Sequence, residues 1–208
     1  MRPTFSLLAI SDRASLGARG IDLVDWLRTL QGGEGDLAVQ IREKDLDDRA
    51  LHSLSRLART LLPPPIPLLV NGRLDIALAA GAEGVHLPAD GVPTAPLRSR
   101  FGDLLIGRST HTVEEVERAR DEGADYVTFG PVYPSPGKGA SVGLAELERA
   151  VATGLPVYAL GGVTLGHFDE LAAVGAAGIA AIRLFQSAPV RTDWGMMARS
   201  VRARFGHV

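Results

Sequence analysis

The 208-residue chain contains no cysteine. That excludes disulfides, thiolate catalysis and cysteine-based zinc sites; it also agrees with a reducing compartment, and a cytoplasmic location is expected. An excess of one charge is missing as well: 22 Lys and Arg stand against 24 Asp and Glu, scattered along the whole length, for a net charge of -2. With no basic stripe and no polybasic patch, neither nucleic acid nor a membrane is an expected partner. No run approaches the roughly 18 apolar residues of a membrane span. The apolar stretch in the opening MRPTFSLLAISDR is too short for a signal peptide and ends in charges. Also missing is any GxGxxG or P-loop after the first apolar run, where AISDRASLGARG stands instead.

What is present is the composition of a soluble globular protein, 46% hydrophobic and 22% charged. The length suits a single domain with one sizeable core, and no linker, low-complexity tract or charge run divides it. Short β-branched apolar runs alternate with longer stretches of helical period throughout. The candidate strands are 5–10, 37–42, 66–70, 84–87, 104–108, 125–130, 156–161 and 178–183. Eight such units in about 200 residues predict an α/β fold, a (β/α)8 TIM barrel over 1–208. A doubly wound open sheet also alternates strand and helix, but it usually carries the glycine motif that is missing here.

In a barrel of this kind the functional face lies at the carboxyl ends of the strands. The end of strand seven, ALGGVT, offers Gly161, Gly162 and Val163, and strand eight ends in AAIRLF with Ile182 and Arg183. Glycines there let backbone N–H groups approach a phosphate, although a tight turn without a ligand would also use them. In QIREK, alternation sends Val39 and Ile41 to the helices and Gln40, Arg42 and Lys44 towards the mouth, where an Arg fork suits a carboxylate or phosphate. Arg42 and Lys44 could equally extend into water.

Asn71 at the end of strand three either contacts a polar heterocycle or caps the following helix. His86 in GVHL is expected to be hydrogen-bonded inside the barrel rather than reactive. The Gly/Pro-rich 129–143, with Ser135, Lys138 and Ser141, reads as a lid over an anionic ligand or as an exposed excursion. GRSTHT places Ser109 and His111 at the mouth of strand five. Thr112 and Glu115 form a capping box, so His111 falls one residue outside the helix. From position alone His111 is either a loop histidine or a base suited to proton transfer near neutral pH.

The segments QIREK, NGRLDIALAAGAEGVHLP, GRSTHT, ADYVTFGPVYPSPGK and ALGGV, in this order, resemble the thiamine phosphate synthase and TenI-type thiazole tautomerase superfamily. The resemblance implies a (β/α)8 barrel that binds thiazole phosphate or thiamine phosphate, with the phosphate on Gly161, Gly162, Val163 and the strand near Ile182. Ser109, Ser135, Lys138, Gln40 and Asn71 belong to the same substrate-binding set; Arg183, where relatives often have a small residue, either adds a charge to the phosphate or points away. Family synthases hold Mg²⁺ on two aspartates, but this chain has Gly72 at the first position, and Gly91 at the second with Asp90 displaced by one residue. The diphosphate loop is altered too, with Gly137 in place of a hydroxyl residue.

These departures point to the tautomerase branch, in which the resemblance makes His111 the proton-transfer group, gives the substrate carboxylate to Arg42 or Lys44, and requires no metal or other cofactor. Two alternatives stand beside it. One is a synthase in which Asp90 and Asp75, or a substrate diphosphate, recruit Mg²⁺; the other is a non-catalytic binder of thiazole or thiamine phosphates. A homodimer through outer helices is compatible with the resemblance.

Overall fold

A computed structural model describes residues 3–33, 36–135, 137–188 and 192–205. Eight parallel strands close into a barrel in sequence order. They are β1 (Leu7–Ile10), β2 (Leu37–Ile41), β3 (Leu68–Asn71), β4 (Gly84–Leu87), β5 (Leu105–Thr110), β6 (Tyr126–Phe129), β7 (Val157–Leu160) and β8 (Gly178–Ala181). Around them lie α1 (Arg13–Gly17), α2 (Leu23–Thr29), α3 (Asp48–Leu61), α4 (Leu74–Ala80) and α5 (Thr94–Arg100). The ring continues with α6 (Val113–Asp121), α7 (Gly143–Val151), α8 (Phe168–Ala173), α9 (Arg183–Ser187) and α10 (Trp194–Phe205). All eight expected strands are present, and each differs from its expected span by at most three residues at either end.

Local chemistry starts several of these helices. Asp12, Asp22, Asp47 and Thr112 each accept a backbone N–H from the first turn of α1, α2, α3 and α6, which satisfies donors that a helix leaves unpaired. The reciprocal half of the expected box on α6 goes elsewhere: Glu115 Oε2 accepts from the His111 N–H at 2.6 Å, one residue before the N-cap.

Strand alternation sorts the core into two layers. Leu7, Ala9, Leu37, Val39, Ile41, Val127 and Ile179 face outward into the helices. Leu8, Ala38, Leu69, Tyr126, Tyr158 and Ala180 face inward with Phe5. Their rings pack at 5.5, 5.1 and 5.3 Å between centroids and close the amino-terminal end of the barrel. Tyr158 anchors this plug by donating its hydroxyl to the Phe5 carbonyl.

The plug needs glycine beside it. A Cβ on Gly107 would stand 2.2 Å from Tyr126 Cζ, and one on Gly178 would stand 2.8 Å from Tyr158 Cε1. Filling that space would force the ring or the strand to move. The next inward residues towards the carboxyl ends are polar, and they form the floor of the site.

Candidate functional site

A cavity of about 940 Å³ opens at the carboxyl ends of the strands. All thirteen predicted side chains and backbone segments line it, from Gln40, Arg42 and Lys44 on β2 to Ile182 and Arg183 beyond β8. Its floor is the polar layer above the aromatic plug. Gln40 Nε2 donates to Asn71 Oδ1 at 3.0 Å, whereas Gln40 Oε1 is buried with no partner among the described residues. A buried acceptor without a donor is costly, so this oxygen suits an N–H or O–H brought by a ligand. Asn71 does not cap α4, whose N-cap is Arg73 without a side-chain bond.

His86 is fully buried on the floor, as expected for a structural histidine. Its Nδ1 meets Tyr126 Oη at 3.1 Å and its Nε2 meets Ser109 Oγ at 3.0 Å, with Thr128 Oγ1 at 3.4 Å. Burial, reinforced by the positive charges of Arg42 and Arg108, lowers its pKa to about 3, so the ring is neutral. Thr128 also lines the cavity. It was missed from sequence, although its two-residue spacing from the inward Tyr126 marks the same face.

Backbone geometry fixes Arg42. Its N–H donates to Ser11 Oγ at 2.8 Å, and that hydroxyl donates to Glu43 Oε1 at 2.5 Å. Glu43 also accepts from the Arg13 N–H at 3.0 Å. Burial raises the Glu43 pKa, although these hydrogen bonds oppose the shift. Thus QIREK splits by parity: Glu43 ties the β1 and β2 ends together while its neighbours reach the cavity.

The wall opposite is made by the loop after β6. Gly161 and Gly162 adopt φ of 93° and 67°. A Cβ on Gly161 would lie 2.6 Å from Pro131 Cβ, and one on Gly162 would lie 2.6 Å from the Pro134 carbonyl oxygen. The Tyr133 N–H donates to the Gly161 carbonyl at 3.0 Å. These glycines are therefore required by the close passage of the 131–135 backbone, independently of any ligand.

Arg183, whose direction sequence left open, turns across the cavity and donates to Ser135 Oγ at 2.9 Å, and Lys138 lines the same wall. Tyr133 stacks on His167 at 3.8 Å and donates to Glu170 Oε1 at 2.6 Å, pinning the base of this loop. Ser141 does not line the cavity, and Pro136 lies outside the described residues.

His111 sits at the rim where β5 hands over to α6. Its Nδ1 lies 2.5 Å from the Gly130 carbonyl, so Nδ1 carries the hydrogen and donates it. Nε2 is left as the lone-pair nitrogen, with no protein partner among the described residues. Such a ring is oriented for proton transfer.

The residues do not fit Mg²⁺ in the manner of the family synthases. A dication of this kind needs oxygen ligands in near-octahedral order, usually with carboxylates among them. Asp90 is the one carboxylate that lines the cavity among the described residues, beside Arg42, Lys44, Lys138 and Arg183. A Cβ on Gly91 would stand 2.9 Å from Pro88 Cδ and 3.1 Å from the Pro88 carbonyl oxygen, and one on Gly72 would stand 3.6 Å from the same Cδ. The proline ring thus crowds the Gly91 position, whereas at Gly72 the contact is an ordinary one and the left-handed φ of 68° is what disfavours an aspartate.

Asp75 is also removed from the site. Both its oxygens accept from Arg73, at 2.9 and 2.7 Å, and this pairing lowers its pKa. It does not line the cavity, which corrects the expectation that it might recruit a metal there. Arg108, not foreseen as a site residue, donates to the carbonyls of Ala89, Gly91 and Val92 at 3.1, 3.3 and 2.8 Å and so clamps the loop that carries Asp90.

Fold and site together define a (β/α)8-barrel protein with one mainly cationic cavity at the carboxyl face. The sequence profile of the family described as thiamine monophosphate synthase (TMP-TENI) matches residues 7–185, and the chain belongs to that family. It is 44% identical over 186 residues to a Geobacter sulfurreducens protein provisionally named thiamine-phosphate synthase, covering 86% of this chain and 85% of the relative. It is 40% identical over 191 residues to the thiamine-phosphate synthase of Anaeromyxobacter dehalogenans, covering 89% and 84%. Among solved structures, thiamine phosphate pyrophosphorylase from Pyrococcus furiosus superposes with a TM-score of 0.84 at 29% identity, over 99% of both chains. No helix among the described residues is long and apolar enough to cross a membrane.

Proposed function

We propose that this thiamin-pathway family member is a metal-independent thiazole tautomerase of the TenI type. The observation that carries the reading is His111, held by Gly130 with Nε2 left free among the described residues, at the rim of a cavity that brings four cationic side chains against a single carboxylate among those residues. The substrate is a non-aromatic thiazole carboxylate phosphate. Arg42 or Lys44 holds the carboxylate, where an Arg fork gives two-point recognition. Gly161, Gly162, Val163 and Ile182 cradle the phosphate, with Ser135, Lys138 and Arg183 closing over it.

In the reaction, His111 Nε2 removes one ring proton and the bonding pair delocalises into the ring. The imidazolium then returns the proton at a second atom, so the product is the aromatic isomer and no proton is gained or lost. Aromatisation supplies the driving force, and the protein supplies position and charge compensation. The test is conversion of the synthetic thiazole followed by absorbance, with EDTA present. Turnover that survives chelation supports the reading, and an inert, folded protein overturns it.

A second reading, the synthase, is favoured by the names of the relatives and of the solved structure. It is tested by mixing the protein with hydroxymethylpyrimidine diphosphate, thiazole phosphate and Mg²⁺; EDTA-sensitive thiamine phosphate would establish it. Binding of thiamine phosphate without turnover of either substrate would instead identify a silent binder.

A further inference from the structure

We infer that the buried Tyr126–His86–Ser109 chain is a one-way hydrogen-bond relay whose free end, the Ser109 O–H, is aimed into the cavity as a fixed donor to the reacting ring. The two ends of His86 carry the argument. Tyr126 Oη lies 3.1 Å from Nδ1, the hydroxyl is completely buried, and no other acceptor is within its reach among the described residues. If Nδ1 bore the hydrogen, the Tyr126 hydrogen would have no acceptor. If instead Tyr126 donates to Nδ1, every hydrogen in the pair is used.

A buried hydrogen without an acceptor shifts such an equilibrium by at least about fivefold, so the Nε2–H tautomer dominates. Nε2–H then donates to Ser109 Oγ at 3.0 Å. With its oxygen accepting from behind, Ser109 turns its own hydrogen towards the cavity that it lines. Thr128, at 3.4 Å from the same nitrogen, is the weaker branch.

Three separate strands are shaped for this alignment. Gly107 leaves the space that the Tyr126 ring occupies beneath β5. β4 turns His86 inward, in register with Gly107, and β5 brings Ser109 two residues above it. Ser109 is then a catalytic residue and His86 and Tyr126 are positioning residues. Under the tautomerase reading, on which this role rests, the Ser109 hydrogen bond strengthens as negative charge builds on the ring while His111 holds the proton. No proton leaves the relay, so the neutral imidazole is not required to ionise.

The tautomer is read directly by ¹⁵N NMR of the histidine-labelled protein. His86 is identified as the histidine whose signals stay fixed as pH falls from 7 to about 5, because burial keeps it neutral there. The Nε2–H form is expected; the Nδ1–H form overturns the relay without reference to any substrate. Tyr126→Phe removes the bond accepted by Nδ1 while Nε2–H keeps Ser109, so the Nδ1 signal should move downfield towards that of a lone-pair nitrogen without a donor, and an unchanged Nδ1 signal counts against the relay.

Ser109→Ala should lower kcat about 100-fold, the scale of one lost aimed donor, with KM little changed. Ser109→Thr, which keeps the hydroxyl, should restore most of the rate. A full-rate Ser109→Ala enzyme removes the catalytic role. A wild-type protein inert on the thiazole defeats the tautomerase reading and the task given to Ser109, whichever tautomer is found.

Discussion

Restoring the missing aspartate should damage this protein before it creates a metal site. In Gly91→Asp the new Cβ would sit 2.9 Å from Pro88 Cδ, 3.0 Å from Cγ and 3.1 Å from the Pro88 carbonyl oxygen. Those atoms belong to a rigid ring and to backbone, so the strain is relieved by moving the loop, and Arg108 holds that loop at three carbonyls. Overpacking of this kind costs about 1–3 kcal/mol. At roughly 2–4 °C per kcal/mol for a chain of this size, Tm should fall by about 2–12 °C.

Gly91→Ala separates the clash from the charge and should show much of the same loss. In a Pro88→Gly background the two ring contacts are gone and only the carbonyl contact stays, so the penalty of Gly91→Asp should shrink by about 0.5–3 kcal/mol of coupling energy. Thermal unfolding of the four proteins, with and without Mg²⁺, closes the cycle. The metal should raise Tm only after Pro88 has been replaced and Gly72→Asp added, since a ligand stabilises only a fold that binds it. A Gly91→Asp protein with wild-type Tm and Mg²⁺ stabilisation in the presence of Pro88 would refute the packing argument.

Other outcomes follow from the same geometry. His111→Ala should lower kcat of the isomerisation by at least about 100-fold, measured by absorbance at saturating substrate; an undiminished rate means that His111 is not the base. Gly162→Ala places a Cβ 2.6 Å from the Pro134 carbonyl at φ 67°, so it should displace the 131–135 segment and raise KM for the phosphorylated substrate several-fold. An unchanged KM would separate that segment from phosphate binding.

His86 makes stability depend on pH. Its folded pKa of about 3 lies below the ordinary histidine value of 6.5, so unfolding takes up a proton between those limits. The stabilisation is complete above pH 6.5 and is lost as pH falls towards 3, at about 1.4 kcal/mol per unit from this group. Denaturant titrations at pH 7 and 5 should differ by roughly 2 kcal/mol from this group, and His86→Asn should lose that difference.

Much of this site was legible from alternation alone. A period of two places Gln40, His86 and Ser109 inside and Val39 and Ile41 outside, and the barrel then brings residues far apart in sequence to one rim. What was not legible depends on long-range packing. Nothing in ALGGVT says that its glycines accommodate the Pro131–Pro134 backbone, and nothing in VHLP says that the proline ring crowds the Gly91 position. Arg108 looks like an ordinary strand residue until the β4–α5 loop folds over it, and Asp75 looks available until Arg73 takes both oxygens. The direction of Arg183 was undecidable because Ser135, its partner, is 48 positions away.

The aromatic plug of Phe5, Tyr126 and Tyr158 makes the barrel, as its described residues form it, a sack that opens at the carboxyl face. Anything resting on the Gln40–His86–Ser109 floor must arrive before a molecule that lies nearer the rim, and it must leave after it. If two reactants ever share this cavity their order of entry is dictated by depth, and the outer one acts as a stopper on the inner. A single reactant meets no such queue, and its product competes with the next arrival for the same mouth.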